Sequence, residues 1–111
     1  MEYKVNELAK ISGISTRTLR YYDEIGLLTP DRLNSNGYRV YTQEHVNTLQ
    51  QILFYRELGV PLDEIKAIIT APDFDRRVSL ERHLSALQNR REKINVLIEN
   101  VAKTLVICPK E

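Results

Sequence analysis

Residues 8–22 read Leu-Ala-Lys-Ile-Ser-Gly-Ile-Ser-Thr-Arg-Thr-Leu-Arg-Tyr-Tyr, and this stretch decides the fold. Two short helices that cross need a small residue where they nearly touch, which Ala9 supplies. Four positions later the chain needs a residue free to turn left-handed, and Gly13 stands there. Ile14 follows as an apolar anchor, and Leu19 and Tyr22 fall on one face of the second helix. An ordinary helical hairpin would meet only some of these demands, so the spacing predicts a helix-turn-helix. Ser15 is placed to cap the second helix, with Ile14 and Leu19 positioned as a hydrophobic staple.

Working outward, the first helix covers about Val5 to Ser12, with Val5, Leu8 and Ala9 on one face. The second runs to about Glu24 and closes at Gly26. Pro30 and Asn34-Ser35-Asn36-Gly37 are turn chemistry, and Tyr38-Arg39-Val40-Tyr41 alternates in strand-forming residues. A hairpin with its tip near Asn36-Gly37 is expected there. Thr42 caps a further helix, about Gln43 to Leu58, with Val46, Leu49, Ile52 (or Leu53) and Leu58 at helical spacing. Gly59 stops it. A shorter helix from Pro61 or Leu62 to about Thr70 turns Leu62, Ile65, Ile68 and Ile69 inward and ends at Pro72.

From about Asp75 to Ile107 there is neither glycine nor proline. A helix of that length is about 50 Å long, more than the preceding residues can cover. Leu80, Leu84, Leu87, Ile94, Ile98, Val101 and Leu105 follow alternating steps of four and three, with Arg91 in the one skipped position. This heptad seam demands a partner helix, and a second copy is the natural one. Spacing leaves parallel and antiparallel pairing open. The expected architecture is mainly α: a winged helix-turn-helix with a small β-hairpin wing over 1–72, a dimerisation coiled-coil helix over 73–108, and a tail over 109–111.

At 111 residues the chain has room for one domain and an appended element. No run of about 18 apolar residues is present, and MEYKVNELAK is not a signal peptide. The single Cys108 excludes an internal disulfide and suits a reducing, cytoplasmic setting. It falls at a d-type heptad position, where packing is its expected role. The net charge is +1, but the distribution is uneven. Leu8–Tyr22 carries Lys10, Arg17 and Arg20 without an acid, and Arg32–Gln43 carries Arg32 and Arg39 without one. Such patches attract phosphate locally.

The exposed N-terminal turns of a recognition helix meet the major groove. Here they carry Ser15, Thr16, Arg17, Thr18, Arg20 and Tyr21. Arginine reads guanine or binds phosphate, hydroxyls bind phosphate or base edges, and the free amides after Ser15 favour an anion. Tyr38 and Arg39 at the hairpin tip are placed to flank one phosphate. Tyr41 is read equally as such a contact or as core beneath the wing. His45 and His83 are far apart and lack a nucleophile or metal-ligand cluster, and no phosphate-cradling glycine motif exists, so no enzyme and no cofactor is expected. His83 is read as a solvated helix residue.

Thr18-Leu19-Arg20-Tyr21-Tyr22-Asp23, Gly26-Leu27-Leu28, Gly37-Tyr38-Arg39-Val40-Tyr41 and Arg56-Glu57-Leu58-Gly59 running into Leu62-Asp63-Glu64-Ile65 stand in one order. In these blocks the chain resembles the MerR family of bacterial transcription regulators. Pro72-Asp73-Phe74-Asp75-Arg76 makes it look most like the multidrug and thiopeptide-responsive subgroup. The resemblance implies an antiparallel coiled-coil homodimer on a pseudo-palindromic promoter, with RNA polymerase as a partner. It implies activation by bending and untwisting an over-long promoter spacer, a form of indirect readout. Arg17, Arg20, Tyr21, Tyr38 and Arg39 match the family's DNA-contacting positions, and Arg56 matches a phosphate-contacting one. Full-length members usually carry an effector-binding region after the dimer helix. A portion of a longer regulator or a naturally short one is therefore expected, with any effector bound by a C-terminal region absent here. A truncated form is expected to act without inducer. An adaptor built on the long helix, and an architectural or repressor role on DNA, are the competing readings.

Overall fold

A computed structural model describes residues 1–110. The chain divides into two compact units, Met1–Arg76 and a second that begins at Arg77. The first holds β1 (Glu2–Lys4), α1 (Val5–Ser12), α2 (Thr16–Glu24), β2 (Arg32–Leu33), β3 (Arg39–Thr42), α3 (Gln43–Glu57) and α4 (Leu62–Thr70). The second is the single helix α5, Arg76–Ile107 counting its first residue.

The expected turn between α1 and α2 is present with its chemistry intact. Gly13 sits at φ 71°, and the Ile14 amide donates to the Ala9 carbonyl at 3.1 Å, closing α1 with a left-handed cap. Ser15 Oγ accepts from the Thr18 amide at 3.0 Å and starts α2. Glu7 accepts the Lys4 amide at 2.9 Å at the head of α1. Leu8, Ala9, Leu19 and Tyr22 are buried together with Leu27, Leu28, Tyr41, Leu49, Ile52 and Ile65, so the two crossed helices, the sheet and α3–α4 share one core. Each large apolar side chain so buried contributes about 1.5–3 kcal/mol.

The wing differs from the simple hairpin expected. It is a three-stranded antiparallel sheet in the order β1-β3-β2. β1 pairs Tyr3 with Tyr41, and β2 pairs Leu33 with Arg39. Three residues are too short a strand to show alternation in sequence; β1 exists because β3 offers it an edge. This register also settles Tyr41, which is fully buried in the core. The wing tip is made by Asn34, whose side-chain oxygen accepts the amides of Asn36 and Tyr38 at 2.9 and 3.0 Å. Gly37, at φ 80°, supplies the left-handed step beside it.

α3 is capped at Thr42 as expected. Its cap is completed by His45 Nδ1, which accepts the Thr42 amide at 3.0 Å, while the His45 ring stands edge-on to Tyr41. α5 spans 32 residues, about 48 Å at ~1.5 Å per residue. Leu80, Leu84, Leu87, Ile94, Ile98, Val101 and Leu105 are all exposed, Leu105 to 69%. His83 corrects the reading of a solvated residue: it is buried, as is Ser79 one turn earlier. The heptad seam marks a different face, and a serine and a histidine give burial no apolar signature.

Candidate nucleic-acid interface

The helix-turn-helix holds α2 by its inner face, through Leu19 and Tyr22, and leaves the outer face open. Ser15, Arg17, Arg20 and Tyr21 are exposed there, and Thr16 and Thr18 are half-buried. The hydroxyls of Ser15 and Thr18 lie 2.8 Å apart and are engaged with each other at the cap. Among the described residues neither Arg17 nor Arg20 enters an ion pair. Both guanidiniums therefore stand unneutralised on the open face, Arg17 within the first turn where the helix end is positive, an arrangement suited to a polyanion. Cys108 is exposed near the far end of α5, remote in sequence from this surface.

The second basic window behaves differently. Arg32 pairs with Glu2 at 2.8 Å and Asp31 at 3.0 Å; the two carboxylates hold its guanidinium above its ordinary range, and the Arg32 guanidinium in turn draws the Glu2 carboxyl below its own. Arg39 Nε meets the Asp23 carboxylate at 2.8 Å, and that bond raises the Arg39 pKa. The stretch from Arg32 to Gln43 contains no acid, yet folding brings three acids to its two arginines. Tyr38, beside the wing tip, is 61% exposed, as is Leu33 across the hairpin at 60%.

Arg56 is exposed at the end of α3, and its charge acts on the Tyr22 hydroxyl. Burial raises the Tyr22 pKa, and this guanidinium opposes the rise. Lys66 on α4 donates to the Ile25 carbonyl at 3.0 Å, just past the end of α2. Asp23, Lys66 and Glu2 escaped the sequence reading. Their partners lie 16, 41 and 30 residues away, beyond any local pattern.

On α5, Arg91 is exposed with its apolar neighbours and interrupts the stripe at the one skipped position of the seam. The apolar surface exceeds the seam: Val96, Leu97, Val106 and Ile107 are also exposed. Among the described residues no helix is long and apolar enough to cross a membrane.

Comparison with known proteins finds two family models. One, described as MerR HTH family regulatory protein, matches residues 3–71; the other, described as MerR, DNA binding, matches residues 46–105. HTH-type transcriptional activator mta of Bacillus subtilis is 42% identical over 106 residues, covering 96% of this chain and 41% of that relative. The chain thus spans about two-fifths of the length of the first curated relatives it matches. The crystal structure of the same protein's N-terminus, a multidrug transporter activator, matches with a TM-score of 0.65, covering 93% of this chain and 97% of that one. HTH-type transcriptional regulator SkgA of Caulobacter crescentus gives a TM-score of 0.87 at 40% identity, over 95% of this chain and 76% of that one. HiNmlR, a MerR family regulator lacking the sensor domain and bound to promoter DNA, gives 0.71 at 26% identity, over 96% and 89%.

Proposed function

Because the chain belongs to the MerR family of regulatory proteins, we propose that it is a DNA-binding transcription regulator that grips a pseudo-palindromic promoter as a homodimer. The single observation that carries this is the pair of unneutralised arginines, Arg17 and Arg20, on the open face of α2. α2 enters the major groove by its N-terminal turns. Arg17, Arg20 and Tyr21 reach base edges and phosphates, Thr16 and the Ser15–Thr18 cap lie against the backbone, and Tyr38 touches a phosphate from the wing. Arg56 holds a further backbone phosphate.

Dimerisation follows from the seam. The exposed stripe from Leu80 to Leu105 buries itself against the same stripe of a second copy, paired antiparallel, and places two α2 helices on one duplex. Arg91 within the seam disfavours other registers, as a polar residue at an a position does. The dimer activates transcription by bending and untwisting an over-long promoter spacer, so that RNA polymerase meets both promoter elements in a usable register. Part of its specificity is then deformation energy rather than base contact.

The test is binding to the promoter DNA upstream of its own gene over a range of salt, with Arg20→Ala beside the parent chain. The parent binds tightly and loses affinity steeply as salt rises. Arg20→Ala weakens binding by about 1–3 kcal/mol if it reads a base, or flattens the salt dependence by about one charge if it holds a phosphate. A parent chain that stays dimeric but ignores DNA would leave the adaptor reading instead.

A further inference from the structure

We infer that Arg39 serves DNA binding through Asp23, as a strut fixing the wing to the recognition helix, and not as a phosphate ligand. This rests on the DNA-binding reading above and assigns one residue of that surface a different task.

α2 has a physical problem at its C-terminal end. Its last turn carries Asp23 and Glu24, at the negative end of the helix dipole, and no basic residue. That arrangement is unfavourable by itself. Cations from three other elements converge on this end. Arg39 of β3 bonds Asp23 at 2.8 Å, Lys66 of α4 bonds the Ile25 carbonyl at 3.0 Å, and the charge of Arg56 on α3 acts on the Tyr22 hydroxyl. Gly26 is part of the same contact, since a Cβ there would meet Lys66 Nζ at 3.1 Å.

The side chains of Arg39 and Asp23 are only 31% and 25% exposed. Their neighbour Tyr38, one position toward the tip, is 61% exposed. A partly buried, charge-assisted bond of this length is stronger and more directional than an exposed pair. The wing's two arginines are both neutralised, whereas those of α2 are not. Arg39 thus sets the distance between the wing tip and α2, and so fixes where Tyr38 stands relative to Arg17 and Arg20.

The experiment measures promoter binding by the full chain across a salt series for the parent, Arg39→Gln, Asp23→Asn and the double variant. Thermal unfolding confirms that each remains folded. A strut predicts that each single variant loses about three- to tenfold in affinity and that the double loses no more than either. It also predicts that Arg39→Gln keeps the parent's salt slope. A slope lowered by about 0.9 in Arg39→Gln would mark a lost phosphate contact and overturn the inference. So would an Asp23→Asn variant that binds as well as the parent or better. If a neutral variant does not fold, the swapped pair Arg39→Asp with Asp23→Arg replaces it. The swap restores affinity relative to Arg39→Asp alone if the residue is a strut, and fails to restore it if Arg39 holds a phosphate. A parent chain with no salt-sensitive binding sinks the DNA-binding reading itself, which the variant comparison presupposes.

Discussion

Tyr41 brings a hydroxyl into the core with no hydrogen-bond partner among the described residues. Burial, and next the Asp23 carboxylate, push its pKa up, so the group stays a neutral phenol. A buried hydroxyl left unpaired costs about 1–3 kcal/mol. Tyr41→Phe removes that cost and keeps the ring against His45. Its unfolding free energy from urea titration should therefore equal or exceed the parent's, by up to about 1 kcal/mol; a loss of that size would mean that the hydroxyl has a partner. At this scale sequence speaks only for neighbours. Gly13, Ser15 and the Asn34–Gly37 turn were legible because cap and turn chemistry acts within four residues. The pairs Arg39–Asp23 and Arg32–Glu2 were not, because charge complementarity between distant segments leaves no spacing to read. The basic window from Arg32 to Gln43 looked like the one around α2, yet folding neutralises both of its arginines.

Among the elements, the long helices were plain in sequence because 3.6-residue periodicity accumulates over several turns, and α5 offers eight full turns and more. β1 was invisible because a three-residue strand carries no periodicity and forms only where β3 provides donors and acceptors. The Ser79–His83 face was hidden by its polar composition. The α5 seam also fixes what should happen when it is broken. Leu87 and Ile98 stand at d and a positions near the middle of the stripe, and a carboxylate at either would be desolvated on pairing. Leu87→Asp with Ile98→Asp should sediment as a monomer and bind promoter DNA weakly, while the core of the first unit, formed without α5, keeps its folding transition. A double variant that remains dimeric would place the contact elsewhere, with the off-seam Val96 and Leu97 as the first residues to test.

On the scale of the whole molecule, a net charge of +1 means that recognition cannot depend on a strong overall field. In the proposed homodimer affinity has to come from two local cationic surfaces held at a set separation, which makes spacing the decisive variable. In a rigid homodimer the two α2 helices meet the groove one turn, or a whole number of turns, apart. Inserting about 5 bp between the half-sites turns one of them to the opposite side of the duplex, since B-DNA repeats every 10–10.5 bp. The dimer then either releases one half-site or twists the DNA back, at a cost of several kcal/mol. Parent binding, followed by mobility shift, should fall by at least about tenfold on the half-turn insertion and recover substantially when about 10 bp are inserted. The Leu87→Asp and Ile98→Asp monomer should bind all three DNAs alike, because each copy then reads its half-site alone. A parent chain equally indifferent to the insertion would mean that the two winged units act independently, and a regulator built that way has no lever with which to untwist a promoter.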